Sequence, residues 1–183
     1  MLHFKVERKL ASYDFRANPN RPDSFENNWK NNSLDDLILL DGENELVRLK
    51  CQTVANYCFG IHAGPKHKPD IATVAEGDFT IKAFVPPRNF HGEIHAITKT
   101  RDKGGRWINH EAMMIFDNGY QLGRWLIHDK YSFDLKRDTN HAWSAGCFIL
   151  SSRDLETLNR HLKQKGVKSG DLIPGVLQMS NEE

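Results

Sequence analysis

At 183 residues, with 39% hydrophobic and 27% charged side chains, the chain has room for about one domain around a single core. Its 25 basic and 24 acidic residues nearly cancel, which removes any bulk electrostatic reason to bind nucleic acid or an anionic membrane surface. No stretch approaches the roughly 20 apolar residues of a membrane span, and the opening MLHFKVERKLASYDFR lacks the apolar segment of a secretory signal.

Residues 11–32 are polar, rich in asparagine and broken by proline. With the residues before them they read as a polar N-terminal extension, 1–35, whose Tyr13, Phe15, Phe25 and Trp29 pack it along the domain. The domain proper then runs over 36–183. From about Leu37 the pattern turns to strands. ELVRLKCQTV (45–54) places Val47, Leu49, Cys51 and Thr53 on one face, and Arg48, Lys50 and Gln52 on the other. GDFTIKAFV (77–85) repeats that period with Phe79, Ile81, Ala83 and Val85 inward, and EIHAITKT (93–100) alternates more weakly.

AMMIFDNGYQLGRWLIH (112–128) reads as two strands turning at Asn118-Gly119, a pair that tolerates the positive φ of a tight hairpin. SSRDLETLNRHLKQKG (151–166) is the one clear helix. Ser151 or Ser152 caps it, Asp154 and Glu156 sit at its positive end, Leu155, Leu158 and Leu162 form its stripe, and Gly166 stops it. DLIPGVLQM (171–179) supplies a closing strand. Many short strands and one late helix predict a mainly β fold, a β-sandwich or open barrel.

Three cysteines, Cys51, Cys58 and Cys147, are too few for a disulfide scaffold and lack zinc-binding spacing. Buried thiols are the expectation for Cys51 and Cys58, with a bridge between them left open. Cys147 differs because of its surroundings. His128 ends one strand, a polar loop follows, and Ser144-Ala145-Gly146-Cys147 leads into the apolar Phe148-Ile149-Leu150. A thiol attacks as thiolate, so a catalytic cysteine needs a base such as imidazole at hand. Gly146 removes a side chain beside the sulfur and lets backbone amides approach an oxyanion. That chemistry is acyl transfer.

The arrangement resembles the L,D-transpeptidase catalytic domain, the YkuD-like family of peptidoglycan enzymes. It is nearest to the Ser-x-Gly-Cys variant of type VI secretion effectors and related phage proteins. The residues that carry the likeness are His128, the spacing to Ser144, then Gly146, Cys147 and the capped helix. A weaker likeness lies in ATVAEGDFTIKAF (72–84), where Gly77 and Phe79 stand in register and the family's proline is absent. The resemblance implies a β-sandwich or open barrel of the L,D-transpeptidase type with one helix, and Cys147 as nucleophile with His128 as base. Asp129 would orient that base through its carbonyl, with its carboxylate a further candidate. Ser144 would shape the loop, and Gly146 the oxyanion pocket.

Two departures stand out. Ala145 replaces the family's histidine, for which His141 is a candidate substitute, and Ile149 replaces its substrate-binding arginine or asparagine. Arg124, Arg137 and Arg106 are candidate replacements for that cation, with Trp143 a further candidate on the substrate side. The implied substrate is the stem peptide of peptidoglycan, met in the periplasm or cell wall after delivery by a secretion system or phage lysis. The variant implies an immunity or secretion-apparatus protein as partner, and no cofactor.

Other readings compete. His91, Glu93 and His95 recur at period two, as the ligands of a divalent metal in a cupin-like barrel would. A non-catalytic module that has kept the fold would explain Ile149. The basic loop of residues 101–107 reads as a solvated hairpin tip.

Overall fold

The computed structural model describes residues 1–9, 34–53, 74, 76–83, 95–101, 105–109, 114–115, 121–122, 125–129 and 147–180. Among them are eleven strands and one helix. In chain order these are β1 (Leu2–Arg8), β2 (Asp35–Asp41), β3 (Asn44–Cys51), β4 (Gly77–Lys82), β5 (His95–Arg101) and β6 (Trp107–Asn109). There follow β7 (Met114–Ile115), β8 (Gln121–Leu122), β9 (Trp125–Asp129), β10 (Phe148–Leu150), α1 (Ser152–Gln164) and β11 (Leu172–Met179).

One sheet runs in the order β10-β9-β5-β4-β11-β1-β2-β3, with β6 branching from β5. Its two ends meet. Gln52, directly after β3, exchanges two backbone hydrogen bonds of 2.9 Å with Ile149 of β10. The sheet is therefore a nearly closed barrel, and the fold is mainly β with one helix. Closure removes the exposed edges that an open sheet would offer to other chains. The short β7 and β8 pair separately around the expected hairpin, whose turn at 118–119 lies outside the described residues.

Residues 2–8 correct the domain boundary expected from sequence. They are not part of an extension, because β1 lies inside the sheet, parallel to β11 and antiparallel to β2. Leu2, Phe4 and Val6 alternate with polar residues, and Phe4 and Val6 are fully buried. Residues 10–33, including Tyr13, Phe15, Phe25 and Trp29, lie outside the described residues.

Period two selects the core. Phe4, Val6, Leu37, Leu39, Leu49, Cys51, Phe79, Ile81, Ile97, Ile127, Phe148 and Leu150 face one cluster, into which α1 lowers Leu155, Leu158 and Leu162. Ser151 caps that helix by accepting from Asp154 N at 3.0 Å, and Gly166 ends it at φ 76°. A close approach lies at the middle of β11. There the Phe79 ring covers Gly175 so tightly that a Cβ would meet Phe79 Cζ at 2.3 Å. Phe79 in turn meets Phe148 edge to face, with ring centroids 5.7 Å apart. Phe79 thus lies between Gly175 and Phe148, the neighbour of Cys147.

Candidate active site

Strands β9 and β10 carry the two central residues. They are parallel, with Phe148 opposite Ile127, Ile149 opposite His128 and Leu150 opposite Asp129. Ile127, Phe148 and Leu150 belong to the core cluster, so alternation turns Leu126, His128 and Ile149 to the other face. Cys147 stands one residue before β10, level with Leu126, and the Leu126 N–H donates to its Sγ at 3.4 Å. Two steps along one strand and one strand across give a Cys147–His128 backbone diagonal of about 8 Å, a separation within reach of an aromatic or long side chain. The register therefore brings the expected nucleophile and base to neighbouring positions.

The imidazole is held in one tautomer. Its Nδ1 lies 2.5 Å from the carbonyl oxygen of Asp129. A carbonyl only accepts, so Nδ1 carries the proton and Nε2 carries the lone pair. The Asp129 carboxylate turns elsewhere, its Oδ2 accepting from Ser152 Oγ at 3.0 Å.

Burial governs the charge state. Cys147 is 7% exposed and His128 1%, so both residues are buried. Desolvation lowers the His128 pKa to about 4, against the opposing hydrogen bond and charge of Asp129. Desolvation also pushes the Cys147 thiol up to about 11, against the Leu126 N–H and its own backbone amide. At neutral pH the pair is thus a thiol beside a neutral imidazole and not an ion pair. Such an imidazole is free of charge and able to accept a proton, and the sulfur must lose one as it attacks.

The other expected residues divide. Ser144, Gly146, Arg124, Trp143, His141 and Arg137 lie outside the described residues. Arg106 is exposed beside Trp107, just before β6, which pairs with β5 at 99–101 while β9 pairs with it at 95–97, the other end of the strand. Trp107 there carries the Arg101 guanidinium 4.1 Å from its ring centroid. Ile149 is fully buried, with its backbone in the closing seam; an arginine there would bury its charge. Of the metal candidates, His91 and Glu93 lie outside the described residues. His95 faces α1, where its Nε2 and Asn159 Oδ1 are 2.7 Å apart. Among the described residues no three His, Cys, Asp or Glu side chains gather around a cation site. Cys51 is a buried thiol, and Cys58 lies outside the described residues.

One group was missed from sequence. Arg8 continues the inward alternation of Phe4 and Val6 and is 1% exposed. Its Nε donates to Thr53 Oγ1 at 2.8 Å, and its Nη2 to Val74 O at 2.9 Å. Thr53 in turn donates to Asp35 Oδ2 through its hydroxyl at 2.5 Å and its amide at 3.1 Å. By the antiparallel register of the seam, Thr53 stands opposite Phe148. This buried polar layer holds the end of β3 against which β10 closes. The signal was present in the period-two run of residues 2–8, extended one step onto an arginine.

A protein of Treponema pallidum (strain Nichols), described only as uncharacterized, is 51% identical over 174 residues, covering 94% of this chain and 78% of that protein. The chain belongs to the same family as that protein. No protein-family model matches the chain, and no solved structure matches it. The family is thus shown by sequence, and its chemistry has to be argued from the β9–β10 pair.

Proposed function

We propose that this protein is a cysteine acyltransferase of L,D-transpeptidase type, acting on the stem peptides of peptidoglycan in the periplasm or cell wall. One observation carries the reading. The parallel register sets Cys147 diagonally beside His128, while the Asp129 carbonyl keeps the proton on Nδ1 and the lone pair on Nε2. That tautomer leaves on Nε2 the lone pair that a general base needs to take a thiol proton.

In the first step the Cys147 sulfur adds to the carbonyl carbon of an amide as its proton passes to His128 Nε2. The C–N bond then breaks, the imidazolium returns the proton to the departing amine, and a thioester remains on Cys147. An amine acceptor completes transpeptidation or D-amino-acid exchange, and water completes carboxypeptidation. Gly146 and the amide of Cys147 would serve the oxyanion, with Ser144 shaping the loop. Arg124, Arg137, His141 and Trp143 are the candidates for holding the substrate. No cofactor enters this chemistry. An effector role would add an immunity or secretion-apparatus protein as partner.

The test is digestion of purified muropeptides by the wild type and by Cys147→Ala, read by mass spectrometry. New peptide products from the wild type alone support the reading, and identical digests from both refute it. Wild type targeted to the periplasm should also make cells swell or lyse, with Cys147→Ala harmless. A second reading, a non-catalytic module on the same fold, draws on the burial of Cys147 and Ile149. It predicts identical digests from both.

A further inference from the structure

Asp129 is used at both ends. Its carbonyl oxygen receives His128 Nδ1, and its carboxylate receives the Ser152 hydroxyl. The carbonyl belongs to the peptide that follows the last paired residue of β9, so the β9–β10 ladder does not by itself fix that peptide plane. A side-chain anchor on the same residue supplies the restraint. Ser152 is the first residue of α1, and the helix start directs positive potential at the Asp129 carboxylate, which is only 8% exposed.

Helix stability gives no reason for this serine. The cap is Ser151, whose Oγ already accepts from Asp154 N. Alanine has the higher helix propensity at the position Ser152 fills. We infer that Ser152 is a positioning residue for the base: its hydroxyl anchors the Asp129 carboxylate and so fixes the carbonyl that keeps the His128 ring in its Nδ1-protonated form. This rests on the acyl-transfer reading and adds to it the element that holds the base. The link also ties the start of α1, which directly follows the nucleophile's strand, to the strand of the base. A shift of α1 would misalign both.

The experiment compares Ser152→Ala, Ser152→Thr and Ser151→Ala in the full chain. Three readouts are taken: the ¹⁵N spectrum of His128, turnover of purified muropeptides, and the unfolding temperature. Ser152→Ala should convert the His128 signals from the Nδ1–H form to a mixture of tautomers. It should also lower kcat about tenfold, a part of the roughly 10²–10⁴-fold that a general base contributes, with KM within about twofold. Its unfolding temperature should fall by only about 2–4 °C, from the hydrogen bond lost to the buried carboxylate. Ser152→Thr, which keeps the hydroxyl, should restore both spectrum and turnover. Ser151→Ala should lower the unfolding temperature by a comparable amount, about 2–4 °C, through the lost cap while leaving the His128 signals and kcat in place. Wild-type His128 signals in Ser152→Ala would overturn the inference, as would activity that follows unfolding temperature across the three variants. Should the wild type turn over no muropeptide, the acyl-transfer reading falls, while the His128 spectra still decide whether Ser152 sets the tautomer.

Discussion

Raising the pH should expose the resting state of Cys147. Burial holds its thiol at about 11, roughly two units above the ordinary thiol value of 9.0. At pH 7 that leaves about one thiolate in 10⁴, a fraction about a hundredfold below that of an ordinary thiol. Alkylation of Cys147 by iodoacetamide, followed by quenched sampling and peptide mass spectrometry, should therefore be slow at pH 7. It should accelerate about tenfold per pH unit and level off only near 11. His128 is already neutral throughout this range, its pKa standing at about 4. Replacing it with alanine should leave the alkylation midpoint near its wild-type position, yet remove muropeptide turnover by a factor of about 10²–10⁴. A rate that reaches its plateau by pH 7, and collapses in His128→Ala, would refute the reasoning. It would mean that a thiolate–imidazolium pair exists before substrate arrives.

Stability should carry the same signature. The folded state keeps His128 unprotonated down to about 4, whereas the unfolded chain takes the proton near 6.5, so stability falls as pH drops through that window. The loss should approach about 3 kcal/mol in urea unfolding between pH 6.5 and 4, and His128→Gln should flatten it. Cys147 acts in the opposite direction: the fold retains its proton up to about 11, so stability should also decline above pH 9. Gly175→Ala would bring a Cβ to 2.3 Å from Phe79 Cζ, an overpacking that should cost about 1–3 kcal/mol and lower the unfolding temperature by several degrees. Adding Phe79→Leu should recover part of that loss. Leu158→Ala, at a fully buried position of α1, should cost about 2–5 kcal/mol in the same assay.

The parts of this fold that local chemistry determines were legible in the sequence. Leu49, Cys51 and Thr53 are buried along β3 and its continuation, and Phe79, Ile81 and Ala83 along β4, as alternation requires. The helix begins at a serine cap and ends at Gly166 because both choices are set within a few residues. What depends on distant pairing could not be read. The seam between Gln52 and Ile149 joins residues almost a hundred positions apart, and only its geometry shows that the side chain of Ile149 is enclosed. β1 escaped notice because a polar tract follows it, although its own alternation is regular. In the site, the spacing from His128 to Cys147 suggested a pair, but their relative placement rests on the parallel register of β9 and β10. The orienting carbonyl of Asp129 followed from the resemblance. The anchoring of its carboxylate by Ser152 had no sequence signal, since that serine looks like one of two candidate caps.

The most direct measurement is the intact mass of the protein during reaction with a defined tetrapeptide muropeptide, quenched in acid. Acyl transfer predicts a transient adduct equal to the substrate less its departing amine, located on Cys147 and absent from both Cys147→Ala and His128→Ala. Product formation with no such adduct, or an adduct that persists in Cys147→Ala, would contradict a sulfur nucleophile at this position.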